Sequence, residues 1–300
     1  MQKIKSIVTG GAGFIGSNLV DQLIALEHDV TVIDNESATT NSQFYYNKSA
    51  VYNKLDVADY EAIRPLFDGV DYVFHLAAES RIQPAILNPL LAVRTNTVGT
   101  AVVLQCAREA GVKKVVYSST SSGYGLINTP PLEETMRDDC LNPYSVSKVS
   151  GEKLCKMYTD LFGLSTLTFR YFNVYGPREP AKGPYAPVVR LFLRQKSAGE
   201  SLTIVGDGLQ RRDFTHVNDV VKANILAMTL DQTGLFNIGT GKNHSVLELA
   251  KMISDDITFI PPRLGEARIT LANNNKSKTL LGWDCTVQLE DYITKELENI

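Results

Sequence analysis

Short β-branched runs alternate with longer amphipathic ones over the first 170 residues, and this alternation constrains the fold more than any other feature. Six segments are predicted as strands: "IKSIVTG" (4–10), "DVTVID" (29–34), "AVYNKLD" (50–56), "DYVFHLA" (71–77), "KKVVYSS" (113–119) and "STLTFRY" (165–171). Helical spacing fills the intervals at 14–27, 58–67, 90–111 and 144–163. Strands with apolar residues at consecutive positions are typical of a parallel sheet that helices cover on both faces. The pattern therefore predicts an α/β protein with a doubly wound parallel sheet.

A change of composition after Tyr171 marks a second part of the chain. Residues 173–187 hold four prolines and two glycines, which predicts a loop. The spacing beyond predicts a helix at 188–198, a strand at 202–205 and helices at 217–231, 245–254 and 287–299. We expect a nucleotide-binding domain of residues 1–172, rejoined by about 213–236, and a smaller C-terminal α/β substrate-binding domain of residues 173–212 and 237–300.

The composition argues against several classes of function. Formal net charge is −3 and the chain has no basic block, so neither a nucleic acid nor a membrane surface is an expected partner. The opening "MQKIKSIVTGG" is too short in apolar residues for a secretory signal, and no uninterrupted apolar stretch approaches the ~18 residues of a membrane span. The cysteines show neither metal-ligand nor CxxC spacing, which predicts a reduced, cytoplasmic protein without a metal site. They are Cys106, Cys140, Cys155 and Cys285.

The segment "TGGAGFIG" (9–16) joins the first predicted strand to the first predicted helix. Its glycines Gly10, Gly13 and Gly16 have GxxGxxG spacing. A Cβ in such a turn would collide with a bound pyrophosphate or with the neighbouring strand, and the helix N-terminus supplies amide donors to the phosphates. Asp34 ends the second strand, where a carboxylate accepts from a ribose 2′-hydroxyl and repels a 2′-phosphate. These residues predict a dinucleotide site that prefers NAD to NADP.

Tyr144 and Lys148 form a Tyr-x-x-x-Lys pair, one turn apart at the start of a predicted helix. A tyrosine with the ordinary pKa of ~10 is a poor base at neutral pH. The Lys148 ammonium and a cationic nicotinamide would lower that pKa and stabilise the phenolate. The pair alone is common on surface helices, so its meaning depends on the motifs around it.

The stretch "SSTSSGYG" (118–125) places five hydroxyl side chains and no carboxylate at the end of the fifth predicted strand. This end of a parallel sheet faces the ligand. We expect Ser118 to cap the backbone of the turn, and the same interpretation stays open for Ser122.

Together these motifs resemble the extended short-chain dehydrogenase/reductase family, and above all its NAD-dependent nucleotide-sugar epimerase branch. The resemblance runs nearly end to end and includes "HLAA" (75–78), "NTVGT" (96–100), "RYFNVYGPR" (170–178), "RRDFTHVND" (211–219), "NIGTG" (237–241) and "LGW" (281–283). It implies a Rossmann sheet, with Thr120 at the family's catalytic Ser/Thr position. Related 4,6-dehydratases carry Asp-Glu directly after that threonine, where this chain has Ser121 and Ser122, and related decarboxylases carry a glutamate near here. The resemblance therefore implies hydride removal rather than elimination.

The reaction implied is epimerisation of a nucleotide-diphosphate sugar at C4 through a transient 4-keto sugar, with a UDP-hexose or UDP-N-acetylhexosamine as substrate. Tyr144 would take the 4-hydroxyl proton while the C4 hydride passes to NAD, and the hydride would return to the opposite face of the turned sugar. The implied catalytic residues are Thr120, Tyr144 and Lys148. The implied contacts to NAD are Gly10, Gly13, Phe14, Ile15, Gly16, Asp34, Asn35, Asp56, Val57, Leu76, Ala77, Ala78, Asn96, Ser118, Tyr144, Lys148 and Tyr171. For Asp56 an alternative stays open: it could equally be an acidic loop residue that faces solvent and does not contact NAD.

Contacts to the nucleotide part of the substrate follow from the same resemblance. Asn173 and Arg212 match positions that contact the diphosphate, with Arg211 left open as the alternative to Arg212. Arg263 matches a further phosphate contact, and Glu266 stands where the family usually has an aspartate for the uridine ribose.

The sugar is expected to meet Thr120 and three further residues. Thr270 matches a position where a bulky tyrosine excludes N-acetyl groups, so its small side chain predicts room for an N-acetylhexosamine. Ser80 and Arg81 follow the fourth strand and are expected to line the sugar pocket. Arg81 is unusual for a UDP-hexose epimerase and would suit an acidic sugar or a different nucleotide diphosphate.

Two other classes of protein stay open as alternatives. Another redox enzyme of the superfamily (a 4,6-dehydratase, a reductase or an epimerase at another carbon) shares most of these motifs. A non-catalytic NAD-binding scaffold is disfavoured because it needs neither Tyr144 nor Lys148. The long helices at 90–111 and 144–163 imply, by resemblance, a homodimer held by a four-helix bundle.

Overall fold

A computed structural model describes residues 3–38, 41, 43–181, 183, 186–263 and 265–300. The strands are β1 (Lys5–Thr9), β2 (Asp29–Ile33), β3 (Val51–Asn53), β4 (Tyr72–His75), β5 (Lys114–Thr120), β6 (Thr166–Tyr171), β7 (Val174–Tyr175), β8 (Leu202–Val205), β9 (Arg211–Arg212), β10 (Thr215–His216), β11 (Gly234–Ile238), β12 (His244–Ser245) and β13 (Ile257–Ile260). The α-helices are α1 (Phe14–Ala25), α2 (Tyr60–Ile63), α3 (Ile82–Leu87), α4 (Pro89–Val93), α5 (Gly99–Glu109), α6 (Pro143–Phe162), α7 (Val188–Ser197), α8 (Val217–Thr229), α9 (Val246–Ile253), α10 (Asn275–Leu281) and α11 (Leu289–Leu297). Two 3₁₀ turns, Arg64–Phe67 and Ser121–Tyr124, and one π turn, Arg94–Val98, complete the regular elements described.

Seven parallel strands form the main sheet in the order β11-β6-β5-β4-β1-β2-β3. The strand order reverses beside β1, which pairs with β2 on one side and β4 on the other. Ligands bind at the carboxyl ends of the strands at such a switch point. The predicted doubly wound Rossmann sheet is confirmed.

The seventh strand, β11, is absent from the strands that the sequence predicts. It pairs in parallel with β6, with Phe236 opposite Phe169 and Ile238 opposite Tyr171. The regular alternation of strands and helices ends near residue 170, so it does not predict β11. The place of β11 in the sheet depends on its pairing with β6, which is distant in the sequence. The chain thereby returns to the main sheet after α8.

Apolar side chains cover both faces of the sheet. Leu19 and Leu23 of α1 and Val220 of α8 are buried on one face. The other face is covered by α5 and α6, with Leu104 and Cys155 among the buried residues. The short parallel pair β8 and β13 packs with α7 and α9 into a separate core in the C-terminal half. This arrangement follows the predicted helical spacing on both sides of the sheet.

The run Pro89–Glu109 has the length and apolar composition of a membrane span, although the sequence analysis predicts none. Its residues Ala92, Asn96, Thr100 and Leu104 are buried inside the protein. A helix that covers a sheet can have the same length and composition, so this run is weak evidence for a membrane span. The π turn Arg94–Val98 interrupts what the sequence predicts as one continuous helix.

Candidate active site

A cavity of about 440 Å³ opens at the carboxyl ends of the central strands, within the size range of small-molecule sites. All of the predicted site residues line it except Asp56 and Asn96. Residues that lie far apart in the chain, such as Gly13, Thr120 and Thr270, therefore share one cavity.

The glycine turn between β1 and α1 leaves no room for side chains at Gly10 and Gly16. Gly10 has φ of +71°, and a Cβ there would lie 2.7 Å from the Ala77 amide nitrogen. A Cβ on Gly16 would lie 2.1 Å from the Gly10 carbonyl oxygen. The first turn of α1 has neither a side-chain cap nor an acidic residue. Its free amide groups and positive dipole end are consequently available to a phosphate.

Asp34 is bonded to the glycine turn. Its carboxylate accepts hydrogen bonds from the backbone N–H of Ala12 (3.0 Å) and of Glu36 (2.8 Å). Burial raises the pKa of Asp34, while these two donors act in the opposite direction. Lys54, the cation nearby, is paired with Glu36 at 2.6 Å. A carboxylate held at this position fits a ribose with a free 2′-hydroxyl.

Asp56 and Asn96 make contacts outside the cavity wall. Asp56 accepts from the Arg94 guanidinium at 2.6 Å, and both residues face a second, smaller cavity. Asn96 is fully buried and bonds the backbone N–H and C=O of Glu79, with a third bond to the Ser147 hydroxyl. Asn96 therefore anchors the loop after β4. Val57, the neighbour of Asp56, does line the cavity.

Thr120, Tyr144 and Lys148 meet at the end of β5 and the start of α6. Asn142 caps α6 by accepting from the Ser145 N–H, and Pro143 occupies the first helical position, so Tyr144 lies in the first turn. Lys148, one turn further, is 3% exposed, and its Nζ lies 4.4 Å from the centre of the Tyr117 ring. All three side chains line the cavity.

Burial controls the ionisation of this group. Burial raises the pKa of Tyr144, while the Thr120 hydroxyl and the charge of Arg81 act to lower it. Burial also lowers the pKa of Lys148 to about 7, with Cys155 and Glu152 acting in the opposite direction. Lys148 and a bound cationic nicotinamide stay the predicted sources of further stabilisation for the phenolate.

The hydroxyl run after β5 is only partly a capping turn. Thr120 accepts from the Ser122 N–H at 3.1 Å and so caps the following 3₁₀ turn. Ser118 bonds the Tyr171 hydroxyl at 3.0 Å instead of the backbone. The prediction that Ser118 caps the turn is wrong, because β5 continues to Thr120 and keeps Ser118 inside the sheet.

A buried ion network lies next to Thr120, and the sequence analysis missed it. Arg170 on β6 is 1% exposed and donates to both carboxylate oxygens of Glu152 on α6, at 2.8 and 2.6 Å. Arg170 also donates to Asp138 at 2.5 Å. Ser119, the neighbour of Thr120, donates to Glu152 at 2.5 Å. The network joins the strand of Thr120 to the helix of Tyr144 and so fixes their relative positions.

The structure distinguishes the two adjacent arginines that are the alternative predicted contacts to the diphosphate. Arg212 lines the cavity with its guanidinium 3.5 Å from Glu266. Arg211 instead donates to Asn243 and pairs with Glu248. Alternate residues of a strand face opposite sides, so only Arg212 reaches the cavity.

Thr270 and Asn173 form part of the wall beside Arg212. Thr270 is 6% exposed, and its hydroxyl accepts from the Asn173 side chain at 3.2 Å and from the Asp213 N–H at 3.3 Å. Both residues are held in place by these bonds, so the wall has a defined shape. Ser80, Arg81 and Arg263 also line the cavity, as the sequence predicts.

The sequence profile of the NAD dependent epimerase/dehydratase family matches residues 6–239. The chain belongs to this family. It is 36% identical to the UDP-glucose 4-epimerase of Mycolicibacterium smegmatis in an alignment that covers 98% of each chain. The family takes NAD as its cofactor, which agrees with the glycine turn and the carboxylate of Asp34.

Solved structures of the family superpose on nearly the whole chain. The UDP-glucose 4-epimerase of Thermotoga maritima, solved with UDP-glucose, has a TM-score of 0.93 and 36% identity, and the match covers 98% of each chain. The UDP-N-acetylglucosamine 4-epimerase of Methanobrevibacter ruminantium, in complex with UDP-N-acetylmuramic acid, has a TM-score of 0.92 and 32% identity, over 99% of this chain and 98% of the other.

The glycine turn allows a direct test of the NAD site. We expect Gly16→Ala to lose its NAD and to lower the free energy of unfolding by about 1–3 kcal/mol, because the Cβ would overlap the Gly10 carbonyl. Gly13→Ala is the matched control for stability, since the protein atom nearest its Cβ is 3.4 Å away. Thermal unfolding of the cofactor-stripped proteins and chromatographic quantification of released NAD measure both effects. Equal unfolding temperatures for the two variants would contradict this account of the turn.

Proposed function

We propose that this protein epimerises a nucleotide-diphosphate sugar at C4 with NAD, through a transient 4-keto sugar. The observation that carries the proposal is the single cavity that holds Thr120, Tyr144, the glycine turn and Asp34. The substrate is a UDP-hexose or UDP-N-acetylhexosamine, in keeping with the activities of the named relatives.

The protein contributes positioning and proton transfer. Bound NAD supplies the hydride acceptor and the positive charge of its oxidised nicotinamide. Tyr144 Oη accepts the proton of the sugar 4-hydroxyl, and Thr120 bonds the same oxygen and shares its proton with Tyr144. Lys148 holds the nicotinamide ribose, and Arg212 and Arg263 hold the diphosphate. After it has turned, the sugar takes back both the hydride and the proton held by Tyr144, so no net redox change occurs.

The charges of the cavity argue against elimination. Among the described residues that line it, only Asp34 and Glu266 are acidic. Asp34 is bonded to the glycine turn, and Glu266 lies next to Arg212. Ser121 and Ser122 line the cavity at the positions where related dehydratases carry their acids. A dehydratase needs a general acid that can reach C6, and this set of residues provides none.

Thr270 supports the acceptance of N-acetylated sugars. Its side chain is small, and hydrogen bonds to its hydroxyl keep it against the wall. Competitive turnover of UDP-N-acetylglucosamine and UDP-glucose tests this part of the proposal. Exclusive use of UDP-glucose would remove it.

The protein is proposed to act as a cytoplasmic homodimer. Exposed apolar side chains lie on two helical segments that pack together: Leu90 (83% exposed) and Val93 on α4, and Val146 and Leu161 on α6. A second copy would bury them in a helical bundle. The four described cysteines are free thiols, as suits a reducing compartment. Analytical ultracentrifugation that finds only monomers would reject the dimer.

The proposed reaction is tested by incubating purified protein with UDP-glucose and UDP-N-acetylglucosamine, without added cofactor. We expect NMR to show an equilibrium mixture of each sugar and its C4 epimer, with no accumulation of reduced cofactor. Stoichiometric consumption of NADH, or a 4-keto-6-deoxy product, would instead indicate a reductase or a dehydratase.

A further inference from the structure

Arg81 is a cation at the sugar end of the cavity that the proposed mechanism does not use. It follows β4 and lines the cavity beside Ser80. Its charge acts on Tyr144, whereas Arg212 is placed beside Glu266 and Arg268. Arg81 therefore lies near the reacting hydroxyl, and Arg212 lies towards the predicted diphosphate site.

The Arg81 guanidinium lacks a matched anion in the part of the chain that the structure describes. Its Nε is buried and has no hydrogen-bond partner there, and the guanidinium forms no ion pair with the described carboxylates. Burial lowers its pKa, which measures the cost of holding this charge away from water. Such a charge is stabilised when a bound anion pairs with it.

Among the described residues, Glu179 is the carboxyl group whose charge acts on Arg81. It is 5% exposed, and its Oε1 is also buried without a hydrogen-bond partner. Burial raises its pKa to about 8, although Arg81 acts to lower it. No salt bridge joins the two side chains among the described residues, and the buried Arg81 Nε and Glu179 Oε1 both lack a hydrogen-bond partner there, so Glu179 does not pair directly with the Arg81 guanidinium. Glu79, two residues before Arg81, lines the second cavity instead.

The loop that carries Arg81 is held rigidly. The buried amide of Asn96 bonds both the N–H and the C=O of Glu79, and the Arg81 carbonyl accepts from the Ala85 N–H at the start of α3. A cation held on an anchored backbone loses little conformational freedom when it binds an anion.

We infer that the substrate of this protein carries a carboxylate on its sugar, and that this carboxylate binds the Arg81 guanidinium; the inference rests on the proposed function. Arginine binds a carboxylate through two parallel N–H donors, which gives orientation as well as affinity. Two kinds of sugar offer this group: a hexuronate, with the carboxylate at C6, and a sugar with a carboxylate on a substituent of its ring. Neutral hexoses would leave Arg81 unpaired in the complex.

Matched pairs of ligands test the inference on the full-length protein with its NAD. UDP-glucuronate is compared with UDP-glucose, and UDP-N-acetylmuramate with UDP-N-acetylglucosamine. Calorimetry on the Tyr144→Phe holoenzyme measures binding without turnover, and the kcat/KM of the unmodified enzyme is measured where a ligand reacts. We expect the acidic member of one pair to bind at least about tenfold more tightly, and the responsive pair identifies where the carboxylate lies.

Variants of Arg81 assign the preference to its charge. Arg81→Gln should reduce the acid-to-neutral ratio of affinities by about 10- to 100-fold, as expected for a charge-assisted hydrogen bond. Arg81→Lys should keep part of the ratio, and Arg137→Gln, exposed and outside the cavity, should keep all of it. The ratio of the two affinities is measured on the same protein sample, so it does not change when a variant contains less active protein.

Two results would overturn the inference: equal or weaker binding of both acidic ligands, or an acid preference that Arg81→Gln leaves unchanged. Turnover of neutral sugars alone would reject the inference and keep the proposed function. An absence of turnover with every ligand would reject the proposed function, while calorimetry would still decide whether Arg81 selects a carboxylate.

Discussion

Replacement of Tyr144 by phenylalanine is expected to lower the kcat for C4 epimerisation by about 10²- to 10⁴-fold. The variant lacks the hydroxyl that exchanges a proton with the sugar, while its ring still fills the same half-buried site in the first turn of α6. Bound NAD should be retained, because the glycine turn and Asp34 are unchanged. Single-turnover kinetics and quantification of bound NAD measure the two properties separately.

Tyr158→Phe is the matched control for this prediction. Tyr158 lies on the same helix, and its hydroxyl donates to Gln105 away from the cavity. Its loss should change kcat by less than about threefold. If Tyr144→Phe kept a kcat within about tenfold of the original, another group would have to be the base. Loss of NAD together with activity would point to a structural role for Tyr144.

Lys148→Met is expected to abolish epimerisation and, at the same time, to stabilise the cofactor-stripped protein. Burial lowers the pKa of Lys148 from 10.5 to about 7, so the folded protein holds its proton less tightly than the unfolded chain. At 1.36 kcal/mol per pKa unit, the cost to the free energy of unfolding reaches about 5 kcal/mol. Methionine has a similar length and no charge, and would remove this cost.

The sign of the pH dependence follows from the two pKa values. Between about pH 7 and pH 10.5 the unfolded chain binds one more proton than the folded protein at this residue, so stability rises with pH. Below about pH 7 both states are protonated and the folded state carries the full cost. The advantage of Lys148→Met should therefore be largest near about pH 6 and fade towards about pH 10.5.

Denaturant unfolding at several pH values measures this effect. Lys156→Met is the control, because Lys156 is 73% exposed on the same helix and pairs only with Asp160 at the surface. Its substitution should change the free energy of unfolding by less than about 1 kcal/mol at every pH. A Lys148→Met variant that is less stable than the original near about pH 6 would show that the Lys148 ammonium is already compensated in the folded protein.

The amino-acid sequence by itself determined the features whose cause is local. The alternation of apolar runs predicted six strands of the main sheet and the helices on both faces, because burial of these residues requires that periodicity. The glycine turn was predicted from the sterics of one short connection, and Asp34 from the hydrogen bonding of a carboxylate at the end of the second strand. The five short strands β7, β9, β10, β12 and β13 and the edge strand β11 were not predicted, since their pairing depends on distant partners.

Only the tertiary structure decided how distant side chains share charge. The chain order says nothing of the bonds from Arg170 to Glu152 and Asp138, or of the nearness of Arg81 to Glu179. The effects of the Thr120 hydroxyl and the Arg81 charge on the pKa of Tyr144 are likewise absent from it, because burial and through-space charge depend on the folded surroundings. Periodicity and turn sterics act between near neighbours and are readable in sequence, whereas electrostatic free energies depend on three-dimensional distance and exclusion of water.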